Sequence, residues 1–490
     1  MRYLSELLSS LRLRLKLGKD LSRLVPQSLV SGEKLDVEQA WKNVAAIAVP
    51  SVIEIVLSSL IGSVDTVMVG SLGKTALSAV ALCIQPRMMM LSLFFAINVG
   101  VTTIVARRKG EQDQKGANNT MKNALMLVFF MSLVLLVLSF FVAEPLMRLA
   151  GANTKTPDDS EVLHLSINYF RIINLSLPFS VISMGINSAL RGVGNTKVTL
   201  KVNMISNIVN VIFNYLLIGG KMGFPRLGVD GAAIASVLGI VAASIFAVYS
   251  VVHNHNSFLH ISRHSKWKIE PKTIRNILKV GGNAMIEQMS LRFGFFLYSR
   301  IIFSMGVLMF AAHNIVAQFF SLTFSFADGI SVASTSLVGQ SLGEKRPDKA
   351  YMYGVISLRI VFIISALLGV FIALFRYQLS SIFINRGTAN AEEVIAVAAE
   401  TLLIVIILQP FQMSSAVLSS CLRGAGDNLY VASVMMLCVS VLRPIFTYIP
   451  VNIFHLSLPL VWLVSLSEIV IRVFLFGKRF KSLKWTNKKV

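Results

Sequence analysis

The sequence predicts an all-α integral membrane protein, with twelve transmembrane helices in two six-helix lobes related by a pseudo-twofold axis along the membrane normal. Three observations carry this. Hydrophobic residues make up 54% of the 490 and charged residues only 14%, with a mean hydropathy of +0.70, whereas a soluble domain carries about 25% charged residues. A soluble globule of this composition would lack the polar surface to cover itself. About twelve apolar stretches are long enough to cross a bilayer, and the two halves of the chain are copies of one another.

The first six stretches fall near 44–69, 77–105, 121–145, 162–189, 198–219 and 229–252. The second six fall near 273–304, 308–338, 351–375, 393–421, 429–450 and 455–476. The odd-numbered connections hold few bases: Lys74, Arg148, Lys155, Lys221, Arg226, Arg376 and Arg386. The even-numbered ones are rich in them, with Arg107, Arg108, Lys109 and Lys115, then Arg191 and Lys197, then Arg263, Lys266, Lys268 and Lys272, then Lys345, Arg346 and Lys349. The tail adds Lys478, Arg479, Lys481, Lys484, Lys488 and Lys489. Bases concentrate on the cytoplasmic side of a membrane protein, so both termini are expected there. The expected organisation is a basic cytoplasmic leader (1–40), an amino-terminal lobe (41–253), a basic linker (254–271), a carboxyl-terminal lobe (272–477) and a basic tail (478–490).

The formal net charge of +22 does not indicate nucleic-acid binding, because the bases lie in short runs between apolar segments rather than on one folded face. Cys83, Cys421 and Cys438 all sit in apolar stretches without metal-ligand spacing, so neither a disulfide framework nor a zinc site is expected. The leader breaks every apolar run with a base and does not read as a secretory signal. Arg12, Arg14 and Lys16 either touch anionic lipid or belong to a flexible basic segment. His253, His255, His260 and His264 cluster in the linker, where a solvated basic loop is a better reading than a metal tract.

The duplication is clearest in two ungapped segments. PFSVISMGINSALRGVGN (Pro178 to Asn195) aligns with PFQMSSAVLSSCLRGAGD (Pro410 to Asp427) at an offset of 232, matching Arg191, Gly192 and Gly194 to Arg423, Gly424 and Gly426. At 233, Gly110-Glu111 falls on Gly343-Glu344, Gln85 on Gln318 and Glu54 on Glu287. Six spans per copy is an even number, so the copies enter the membrane in the same sense, with a cavity expected between the bundles. Arg-Gly-x-Gly reads as a helix stop: glycine permits a left-handed cap and the arginine stays at the interface near the last carbonyls. The same segment is alternatively a cytoplasmic gate.

VDTVMVG (Val64 to Gly70), the Gly-Glu turns after spans two and eight, and the duplicated Leu-Arg-Gly-x-Gly together resemble the multidrug and toxic compound extrusion (MATE) transporters of the multidrug, oligosaccharidyl-lipid and polysaccharide exporter superfamily. The resemblance covers about residues 40 to 480, and Trp462, Glu468, Arg472 and FGKRFKSLKW resemble its bacterial branch. It implies alternating access, in which entry of sodium ions or protons drives organic substrates out. It also implies a cation site made by an aspartate of the first span and polar residues of the fifth, here Asp65 with Asn210 and Asn214. Acidic residues that some subfamilies place in the seventh and tenth spans would fall near Leu291 and Gln412, where this chain has none.

The residues themselves point the same way. An aspartate at mid-membrane costs about 2.5–3.5 kcal/mol on insertion scales, so Asp65 is expected to face protein or water and to be functional. Asn207, Asn210 and Asn214 share one helix face, where they either complete an oxygen site for sodium around Asp65 or join helices together. Glu54 precedes Asp65 by three turns, about 16 Å on the same face, and is a candidate for cation coupling, as is its copy Glu287 in the other lobe. Pro50 offers a bend point before it. Candidate cavity or substrate contacts are Gln85, Gln318, Gln412, Arg87 and Arg292; an unpaired Arg87 or Arg292 in the cavity would favour anionic or zwitterionic substrates. Arg443, Glu468 and Arg472 are expected to form structural ion pairs.

The expected function is a secondary antiporter of the bacterial inner membrane that exports organic small molecules in exchange for sodium ions or protons, the alternative being a lipid-linked precursor flippase of the same superfamily. An enzyme is not expected, since the chain has neither a GxxxxGK[ST] loop nor a nucleophile elbow. No cofactor is expected, no metal beyond a sodium ion at Asp65, and no partners beyond the organic substrate and the lipid bilayer; the protein is expected to be monomeric.

Overall fold

A computed structural model describes residues 25–30, 36–151, 157–254, 257–262, 267–382 and 390–488. These form helices and no strand. The amino-terminal half contains α1 (Val37–Gly70), α2 (Lys74–Gly110), α3 (Gln114–Leu149), α4 (Pro157–Asn174), α5 (Leu177–Gly192), α6 (Thr196–Gly219) and α7 (Gly228–Val252). The carboxyl-terminal half contains α8 (Pro271–Phe303), α9 (Val307–Gly343), α10 (Pro347–Ile382), α11 (Ala391–Gly424), α12 (Asn428–Ile453) and α13 (Leu458–Lys481). Arg12, Arg14, Lys16, Lys155, His255, Arg263, His264, Lys266, Arg386 and Lys489 lie outside the described residues.

Ten of these helices are long and apolar enough to cross a membrane, and α4 with α5 makes an eleventh. That fourth span is not straight. It bends by 50° at its break, because the chain leaves the helix after Asn174 and restarts it with Pro178 in the first turn of α5, where proline's missing N–H costs nothing. The helix α8, 33 residues long, is too polar to count among these spans, since Glu287, Arg292 and Arg300 lie along it. By contrast α1 runs unbroken through Pro50.

Helices of each half stop by the same device. Gly194 takes φ +82° and Gly426 φ +87°, while Asn195 N–H donates to the Leu190 carbonyl at 2.8 Å and Asp427 N–H to that of Leu422 at 2.9 Å. This is the six-to-one closure of a Schellman cap. The Gly-Glu turns close likewise with a residue other than glycine in the left-handed position, Gln112 at φ +55° and Lys345 at φ +58°.

The chain packs as two compact units, Ile53–Met285 and a second that joins the segment ending at Val52 to Ile286–Val490. It therefore passes from one to the other inside α1 and inside α8. Within the first unit, α8 lies so close to α2 that a Cβ on Gly100 would stand 2.9 Å from the Ile277 carbonyl. Within the second, a Cβ on Gly329 of α9 would stand 2.6 Å from the Val52 N–H nitrogen of α1. Close backbone approach at small residues is how membrane helices associate without a hydrophobic driving force between them.

Candidate functional site

In the first unit α1 and α6 bring Asp65 against Asn214, whose Nδ2 donates to the carboxylate at 2.8 Å. The Asn210 amide, one turn earlier on α6, lies 2.8 and 2.9 Å from the two carboxylate oxygens, and its far end is 3.1 Å from Ser236 Oγ of α7. The two orientations of that amide are chemically distinct. With a bare carboxylate the NH2 faces Asp65 and the amide oxygen accepts from Ser236; with a cation or proton between them, the oxygen faces the site instead. Asn210 thus donates to Asp65 while its amide oxygen accepts from Ser236.

The backbone sets this geometry. A Cβ on Gly239 of α7 would meet the Ser206 carbonyl at 2.6 Å and Asn210 Cβ at 3.1 Å, and one on Gly231 would meet the Leu217 carbonyl at 2.7 Å. Only glycine lets α7 press Ser236 onto Asn210. The result is a cavity of about 130 Å³ lined by Asp65, Thr66, Tyr169, Asn214 and Ser236 on its polar side and by Val80 and Ile84 among its apolar residues. Asn210 and Asn214 are buried, and Asp65 is half-buried. Asn207 points elsewhere on α6 and donates to Ser58 at 3.3 Å.

Glu54 does not join this cluster. Its carboxylate is buried and pairs with Arg191 of α5, while also accepting from Thr199 Oγ1 at 2.7 Å and Asn203 Nδ2 at 2.5 Å. In the second unit its copy Glu287 pairs with Arg423 at 2.6 Å, and that arginine also donates to Ser420 Oγ at 2.7 Å. The arginines of the duplicated Arg-Gly-x-Gly therefore turn away from the helix-end carbonyls toward a carboxylate, the stronger acceptor. Sequence reasoning missed these pairs, although the signal was present: both the acid and the arginine recur, at offsets of 233 and 232.

The remaining candidates are dispersed. Arg443 and Glu468 are almost wholly buried and pair through two contacts at 3.0 and 2.5 Å, with Arg472 at 3.8 Å from the same carboxylate. Gln412 accepts from Arg472 Nη2 at 2.6 Å. Arg87 is half-buried and donates to Ser176 Oγ at 3.3 Å, while Gln85, Gln318 and Arg292 are exposed.

The MatE family model matches the chain twice, over residues 50–216 and 284–449, once in each half. The chain belongs to the MatE family. Among curated relatives, the probable multidrug resistance protein NorM of Thermotoga maritima is 29% identical over 357 residues, 71% of this chain and 74% of that one. The uncharacterized transporter YisQ of Bacillus subtilis is 26% identical over 365 residues, 74% of this chain and 76% of that one. Among solved structures, a crystal structure of a MATE protein in complex with MaL6 superposes with a TM-score of 0.82 at 22% identity, covering 91% of this chain and 97% of that one. The fold is therefore that of the MATE transporters, and the expected membrane class, duplication and twelve-span architecture agree with it.

Proposed function

We propose that this MatE protein is a secondary antiporter that exports organic small molecules in exchange for sodium ions or protons by alternating access, and that Asp65 is its coupling group. The observation that carries the reading is a carboxylate inside a span, on the wall of a cavity, with the Asn214 and Asn210 amides donating to it. Intramembrane carboxylates facing a cavity mark ion pathways. Sodium would take oxygens from Asp65 and from the Asn210 amide turned toward it, and a proton would neutralise Asp65 directly. Glu54 and Glu287, held by arginines, serve the packing of α1 and α8 and not the exchange of ions.

One charge crossing 100 mV is worth about 2.3 kcal/mol, enough for roughly fiftyfold substrate accumulation. Relatives named for multidrug resistance support organic molecules as cargo. The setting we infer is the bacterial inner membrane with both termini cytoplasmic, from the bases that crowd the even-numbered connections. The test is reconstitution in liposomes with ethidium inside and a sodium gradient or a proton gradient imposed separately. The reading expects one gradient to drive dye efflux. If neither does while a lipid-linked saccharide crosses, the flippase reading replaces it.

A further inference from the structure

Because the halves are copies, each position of the Asp65 site has a counterpart in the second unit. At the offset of 233 that relates the first spans, Asp65 falls on Tyr298. The fifth spans start in register at 232, with Asn195 before α6 matching Asp427 before α12. The π-helical stretch Met436–Leu442 of α12 then takes in one extra residue, which shifts the offset to 233 within it. Asn207 falls on Ser440 and Asn210 on Arg443. Contacts support this register. Asn207 donates to Ser58 of α1, and Ser440 donates to the Ser290 carbonyl of α8 at 2.8 Å. Asn210 bonds Ser236 of α7, and Arg443 bonds Glu468 of α13.

The same scaffold thus carries different chemistry in the two units. The first has a carboxylate, two amides and a hydroxyl around a cavity. The second has Tyr298, Arg443 and Glu468, with the guanidinium 1% exposed and the carboxylate 0%. Arg443 lies 4.8 Å from the Phe295 ring and 5.9 Å from the Tyr298 ring, in the range of a cation held on aromatic faces. The other titratable groups around Glu468 are Arg472 of α13 and Cys438 of α12, and Arg472 is itself bound to Gln412 of α11.

We infer that Arg443 is a tethered cation that closes the second unit's copy of the ion site, so that one exchangeable ion, at Asp65, serves the whole chain. A guanidinium keeps its charge at any physiological pH and cannot leave its helix. Glu468 is therefore neutralised in every state of the cycle, and an incoming ion would have to displace a cation that is covalently attached. The asymmetry is built by substitutions at three matched positions, carboxylate to phenol, amide to guanidinium and hydroxyl to carboxylate. The inference rests on the reading of Asp65 as the exchanging site.

The test counts exchangeable cations on the purified full chain, by 22Na+ equilibrium binding and by protons displaced on adding ethidium. Wild type is expected to show one per chain by one of the two counts, Asp65→Asn none, and the charge-neutral pair Arg443→Gln with Glu468→Gln still one. Two cations in wild type, or one left in Asp65→Asn, or loss of the count in a folded pair variant, would overturn the tethered cation while leaving antiport intact. The first two comparisons need no change in the second unit, so they decide the matter even if the pair variant does not fold. A count of zero in wild type removes both the proposed function and this inference.

Discussion

Removing Arg191 should cost more stability than removing the acid it serves. Glu54 is 3% exposed and Arg191 30%, so the two ends of the pair lose different things when cut. In Arg191→Met the buried carboxylate loses its countercharge. Stranding one member of a buried pair costs about 3–5 kcal/mol, and the donors that remain, Thr199 and Asn203, place the cost near the lower end, about 3 kcal/mol. In Glu54→Gln the buried charge disappears, Thr199 and Asn203 keep a partner, and the part-exposed guanidinium takes water. That loss is about 1.5 kcal/mol, the scale of one hydrogen bond to a charged group. Reversible unfolding in mixed micelles, read as a difference between the two variants, measures the asymmetry. Glu54→Gln costing as much as Arg191→Met would refute the assignment of the buried carboxylate as the member that needs its partner.

Further outcomes follow from neighbouring contacts. Arg443→Met should destabilise by about 4 kcal/mol in the same assay, more than Arg191→Met, because both members of that pair are wholly buried. Gly239→Ala should lower both stability, by about 1–3 kcal/mol, and gradient-driven efflux, since the added Cβ would sit 2.6 Å from the Ser206 carbonyl and press on Asn210; Gly62→Ala, with nothing within 4 Å, should change neither. Trp462→Phe should cost about 1 kcal/mol through loss of the Nε1 bond to His313 Nδ1 at 3.2 Å, seen as a small shift of the unfolding midpoint.

What the sequence made legible was set by the range of the interactions involved. Hydropathy is a local property, and it located the spans because every residue of a crossing helix meets the same solvent. The bend of the fourth span escaped it, since averaging over a bilayer-length window smooths the break between Asn174 and Leu177. The polar α8 was the weakest of the stretches read from hydropathy, and the duplication supported it by demanding a counterpart to the first span. Asp65 with Asn214, 149 residues apart, came from the family motif and from the cost of a carboxylate in lipid. Glu54 with Arg191, 137 apart, did not, because a helix-stop motif already gave the arginine a local role. The π-helical stretches of α12 have no sequence code of their own, and without them the counterpart of Asn210 would have been read one residue early, at Leu442 instead of Arg443.

Thermodynamic coupling between substrate and ion is reciprocal, so the central claim is tested most directly by running the exchanger backward. Proteoliposomes holding no ion gradient would receive an ethidium gradient, and the opposing flux of protons or 22Na+ would be followed in wild type and in Asp65→Asn. The account predicts ion movement against the dye in wild type and none in the variant, while the variant still binds ethidium. Equal ion fluxes in the two proteins would contradict it.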